Sequence, residues 1–126
     1  MKYMLLCYDD EAAWERAGQA VHRAAMEEAV QLTHELHSRG QYLRAAPLHP
    51  VATATSVRVR EGRKLVTDGP FAETREQLGG FYLIDVADLN EAINVAARHP
   101  GARLGTVEIR PILELPGLPA ARPTVQ

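Results

Sequence analysis

One cysteine in 126 residues leaves no partner for an internal disulfide. Cys7 also lies in an apolar run, where a small buried thiol fits well. A reducing, cytoplasmic location is the simplest expectation. No apolar stretch approaches the roughly 20 residues that a spanning helix needs, so the chain is not expected to enter a membrane. The opening residues, Met1-Lys2-Tyr3-Met4-Leu5-Leu6-Cys7-Tyr8, lack the layout of a cleavable signal, and the mature protein is expected to begin at this first strand. Charge of one sign is also missing: 14 basic residues face 16 acidic ones and the net charge is -2. The basic residues are scattered among the acids, so the footprint of direct nucleic-acid binding is absent. There is no internal repeat and no low-complexity segment before the tail.

What is present fits one folded domain. The chain is 46% hydrophobic and 24% charged, close to the usual soluble balance, and is long enough for a single core. Residues 2–8 form a nearly all-apolar run, as in a strand covered on both faces near the middle of a sheet. From Trp14 apolar residues recur at Ala17, Val21, Ala24 or Ala25, Ala29, Leu32 and Leu36, which predicts one long helix ended by Gly40. Residues 42–46 read as a short strand. Residues 53–60 and 64–67 read as a hairpin turning at Glu61-Gly62-Arg63, with Val57 and Val59 on one side and Arg58 and Arg60 on the other. Residues 68–78 are irregular and charged, and 81–86 form a further strand. Asp88 and Glu91 have capping-box spacing ahead of a second helix that ends at His99-Pro100-Gly101, and 106–113 form the last strand.

This order predicts an α+β protein with a ferredoxin-like antiparallel sheet and both helices on one face. Residues 1–115 are assigned to the domain and 116–126, with three prolines, to a tail that is mobile or draped over a partner. The face without helices would leave apolar residues wet in a monomer, and a homodimer packed sheet face to sheet face would bury them.

The most distinctive segment is Val66-Thr67-Asp68-Gly69-Pro70-Phe71-Ala72-Glu73-Thr74-Arg75-Glu76-Gln77-Leu78-Gly79-Gly80-Phe81-Tyr82. Asp68 can accept from following amides, Gly69 permits unusual backbone angles, and Pro70 suits the start of a short helical turn. On such a turn Glu73 and Glu76 share a face beside Arg75, so three carboxylates and a guanidinium converge where they can polarise a ligand. A plainer reading has Asp68 capping the turn, the glutamates in water and Phe71 plugging the core. On the last strand Glu108 and Arg110 point the same way, as do Arg58 and Arg60 on the hairpin, toward either a polar cleft or mutual ion pairs. Tyr82 offers a hydroxyl or core packing, and His49, between Pro47 and Pro50, is a looser acid-base candidate. His34 and His37 have the spacing of two metal ligands but too few further donors nearby, so a solvated helix face is preferred and neither metal nor cofactor is expected. His99 would end a helix, where its positive form suits the dipole.

The same segment resembles the DGPF branch of the YCII-related family. Asp68-Gly69-Pro70-Phe71 is the branch's signature, Ala72-Glu73-Thr74 and 76–82 continue its pattern, and Glu108-Ile109-Arg110-Pro111-Ile112 is similar to its closing strand. The resemblance covers roughly residues 1–115, about one small domain. It implies a dimeric α/β barrel, two ferredoxin-like sheets packed face to face. The branch usually carries lysine where Arg75 stands, which replaces a flexible ammonium by a fixed fork. A relative that removes chloride from a chlorinated hydroxyhydroquinone resembles an enzyme using a helix histidine with an aspartate. The patterns around His22, His34 and His37 depart from that relative's, so its activity is not transferred.

Two functional expectations follow. In one, a cleft near the DGPF turn binds or acts on a small organic molecule, with Asp68 as base or acceptor and Arg75 or Arg110 holding an anionic group. In the other, the resemblance implies genes beside extracytoplasmic-function sigma factors, and the chain is a non-catalytic regulatory or interaction module. A third reading has the DGPF turn only locking a structural dimer.

Overall fold

The computed structural model describes residues 1–120. Part of the expected tail, 121–126, lies outside the described residues, while 116–120 are exposed and turn at Pro116-Gly117. Strand β1 (Lys2–Asp9) is followed by helices α1 (Glu11–Ala17) and α2 (Gln19–Ser38), then β2 (Tyr42–Pro47) and a single 3-10 turn (Val51–Thr53). The hairpin β3 (Thr55–Arg60) and β4 (Arg63–Asp68) comes next, then β5 (Gln77–Asp85), α3 (Leu89–Arg98), the short α4 (Gly101–Leu104) and β6 (Gly105–Pro111).

The main sheet is antiparallel in the order β2-β5-β1-β6, the ferredoxin-like arrangement read from the element order. The all-apolar β1 lies in its interior, as such a run must. Tyr3, Leu5 and Cys7 of β1 and Tyr82 and Ile84 of β5 turn to the helices, where Leu32 and Leu36 of α2 and Ala92, Val95 and Ala96 of α3 complete the core. Asp88 caps α3, its side chain accepting from Glu91 N at 2.9 Å. The Glu91 carboxylate returns to Ala87 N at 3.1 Å, one residue earlier than in the usual box.

Two expectations are corrected. The long helix is broken at Gly18, whose φ of 92° lies in the left-handed region, so α1 and α2 are separate helices. Asp10 caps α1, accepting from Ala13 N at 3.2 Å. The hairpin does not extend the main sheet but forms its own two-stranded sheet. Its Glu61-Gly62 turn has positive φ at both positions, the two-residue form that matches strand twist. Arg58 and Arg60 therefore do not share a sheet face with Glu108 and Arg110.

Strands β1 and β6 approach very closely at Gly105, where a side-chain carbon would lie 2.1 Å from the Tyr8 carbonyl oxygen. Urea unfolding should separate two kinds of damage. Leu36→Ala, at a fully buried position, is expected to cost about 2–5 kcal/mol through the cavity it leaves. Asp88→Ala is expected to cost about 0.5–2 kcal/mol through the lost cap.

Candidate functional site

Only the C-terminal half of α2 is sunk into the core. Toward its N-terminal half Ala25, Met26, Ala29 and Val30 face a cavity of about 880 Å³ between helix and sheet, within the usual range for small-molecule sites. The sheet side is formed by Cys7, Tyr42, Ala45 and Tyr82 among others. Tyr82 stands across the gap, its hydroxyl donating to the Ala29 carbonyl at 3.2 Å.

The polar groups gather at two corners. At the β1–α1 corner are Asp9, Glu11, Trp14 and Glu15, with His22 opposite on α2. Trp14 meets the His22 ring edge-on at 5.2 Å between centroids. Burial raises the Asp9 carboxyl above its usual value of 3.8. The neighbouring Trp14 indole opposes the rise, although its N–H closes no hydrogen bond of regular geometry. The Glu11 and Glu76 charges add to the rise, and His22 lowers it. Glu11 cannot swing away from this corner: its N–H donates to Gln77 Oε1 at 3.0 Å and its Oε2 accepts from Val51 N at 3.0 Å. Gly79 is an extra residue in β5, since Cys7 pairs with Gly80 and Tyr8 with Leu78. This bulge leaves Gly79 beside the Asp9 carboxylate, which would lie 3.5 Å from a side-chain carbon there.

At the other corner His99 packs edge-on against Tyr82 at 5.2 Å, and its Nδ1 accepts from Gly101 N at 2.9 Å. Burial holds this imidazole below its usual value of 6.5. The expected cationic helix-end role is thus replaced by a neutral ring with Nε2 as donor. Burial first, then Asp9, pushes the Cys7 thiol up to about 11, so it is not a thiolate at neutral pH. Burial likewise holds the Tyr82 phenol above its usual range.

Of the residues singled out in the sequence, Tyr82 lines the cavity, and Glu76 acts on Asp9 from beside it. The DGPF segment is arranged differently from expectation. No helical turn follows Pro70; 71–76 are bends and irregular backbone, so Glu73 and Glu76 share no helical face. Asp68, Glu73 and Arg75 are exposed, and among the described residues no hydrogen bond or ion pair joins them to one another or to Glu76. The turn is fixed instead by backbone: Gly69 N donates to Ala54 O at 2.7 Å, and Ser56 Oγ donates to Gly69 O at 2.8 Å. Phe71 is 78% exposed and plugs no core. Glu108 and Arg110 pair in register with Leu6 and Met4, on the face away from the helices, and do not ion-pair with each other. His49 is exposed beyond β2, and His34 and His37 lie exposed on α2.

Asp9 and His22 were both missed as a pair. Asp9 read only as the end of a strand, and helical periodicity does not reveal where a helix stands off from a sheet. Two signals were available: an acid directly after the apolar run of β1, and Gly79-Gly80 in β5.

The family model for the YCII-related domain matches residues 1–116. That match is to the family as a whole and does not single out the DGPF branch. A protein of Rhizobium meliloti (strain 1021), described as uncharacterized, is 38% identical over 114 residues, which span 89% of this chain and 92% of that protein.

The raised Asp9 carboxyl makes a signed prediction. Because the folded protein holds this proton more tightly than the unfolded chain, Asp9 favours folding below about the unfolded value of 3.8, and that contribution is lost as pH rises through the folded value. Asp9→Asn should therefore raise Tm relative to the parent at pH 7–8, and the gain should shrink toward zero as pH approaches 4. Asp68→Ala, with no side-chain bond to lose, should shift stability by no more than about 0.5 kcal/mol.

Proposed function

Because this chain belongs to the YCII-related family, and because it holds a lined cavity rather than a closed core, we propose that it binds a small organic molecule between α2 and the sheet and acts on it by proton transfer. The observation that carries this reading is the roughly 880 Å³ cavity with Asp9 and His22 at one corner. A carboxyl raised by burial is a stronger base than an exposed one, and the His22 imidazole opposite it is a second group that can carry a proton. The reacting carboxylate is thus placed at Asp9, and Asp68 is given no direct part. Tyr82 and the neutral His99 contribute hydrogen bonds to the occupant from the inner corner. The interaction with a sigma factor draws no support from the residues at hand.

The reading includes a homodimer. Met4, Leu6, Phe81 and Leu83 share the face away from the helices, with Arg44, Glu108 and Arg110 in register beside them. Among the described residues these apolar side chains are only half-buried, and a second copy packed face to face completes their cover. Light scattering should give twice the chain mass, and Leu6→Lys with Leu83→Glu should return the monomer.

The ligand reading is tested by a thermal-shift screen of small metabolites on the parent and on Ala29→Trp, which fills the cavity from the α2 side. At least one compound should raise the parent's Tm, and the same compound should leave the variant unmoved. Stabilisation that survives the filled cavity would place the ligand elsewhere and sink the reading.

A further inference from the structure

Among the described residues, three carboxylates line the cavity, Asp9, Glu11 and Glu15, and neither a lysine nor an arginine does. The two imidazoles do not reverse this balance. His99 is buried against Tyr82 and accepts from Gly101 N, so it sits there as a neutral ring. His22 supplies at most one positive charge. Glu11 is anchored to Gln77 and Val51, so its charge is a fixed feature of the corner. A fourth acid, Glu76, acts on Asp9 from outside the lining.

From this arrangement, and resting on the reading of the cavity as a ligand site, we infer that the occupant is an uncharged or amine-bearing apolar molecule, not a carboxylate or phosphate. An anion entering here would meet like charge in a partly desolvated corner, with no guanidinium or ammonium to receive it. A cation would meet the carboxylates and the aromatic side chains of Trp14 and Tyr42, which also line the space. The apolar body is accommodated by Ala25, Met26, Ala29 and Val30. The inference replaces the earlier expectation of an anionic group held by Arg75 or Arg110, because neither lines the cavity.

The test uses three probes of similar size that differ in head group: phenethylamine, phenethyl alcohol and hydrocinnamate, each titrated calorimetrically into the full chain. Phenethylamine should bind at least about tenfold more tightly than hydrocinnamate, a difference of about 1.4 kcal/mol, with the alcohol between them. Asp9→Asn should narrow the amine-to-carboxylate ratio to within about threefold; where that variant does not fold, Glu15→Gln, at an exposed position, should shift the ratio in the same direction. Hydrocinnamate binding as tightly as phenethylamine, and lost in Ala29→Trp, would overturn the charge inference and leave the cavity reading standing. Binding of no probe at millimolar concentration, or binding undiminished in Ala29→Trp, would overturn both.

Discussion

Leu32 and Leu36 hold the C-terminal half of α2 in the core, while the buried Tyr82 ties the middle of the helix to the sheet through its bond to the Ala29 carbonyl. The rest of the structure depends on this unequal support. A buried tyrosine hydroxyl must find a partner or carry the cost of desolvation, and here the partner is a helix carbonyl across the gap. The small Ala25 and Ala29 side chains on this face of α2 leave room for the cavity beside that bond. Gly18 completes the arrangement: by breaking the helix it lets α1 turn and place Trp14 at one corner of the space instead of continuing along the α2 axis.

The charges at that corner are positioned by backbone rather than by ion pairs. Glu11 is tied by two backbone groups, one through the Gln77 side chain, and Asp9 lies under the Gly79 bulge. The ion pairs among the described residues lie elsewhere. Arg98 with Glu35 and Arg103 with Glu28 link α2 to the α3–α4 segment, at exposed or half-exposed positions where such pairs contribute little. Half-buried Asp9, with Glu11 and Glu76 nearby and only the Trp14 indole and His22 opposing, holds its proton more tightly than an exposed carboxyl.

The order of elements and the ferredoxin-like sheet were legible because β1, β5 and β6 carry clean patterns and Asp88 announces α3. The Gly18 break was not, since the apolar stripe runs through it without a change of period. The detached hairpin was missed for a similar reason: alternation predicts strand pairing but not which sheet the pair joins. In the candidate site, attention went to Asp68 because its segment is distinctive in sequence. Distinctiveness there reflects a backbone requirement, with Gly69 at φ 96° clamped by Ala54 and Ser56. Asp9 and His22, by contrast, become neighbours only when β1 and α2 are set side by side, which no spacing along the chain encodes.

The two faces of the sheet have different surroundings, and β1 divides them residue by residue. Leu5 and Cys7 turn to the helices and the cavity, while Met4 and Leu6 turn to the open face. In the proposed dimer the second copy covers Met4 and Leu6, so the cavity stays on the outer, helical side and each protomer keeps its own. A ligand then reaches Asp9 without parting the subunits. The two surfaces still communicate through the backbone of β1, because Tyr8 and Asp9 pair with Thr106 and Gly105 where β6 comes closest. Any shift of β6 imposed by packing at Glu108 and Arg110 must therefore move the Asp9 backbone as well. In the proposed dimer, the packing face and Asp9, the proposed base, therefore share one strand.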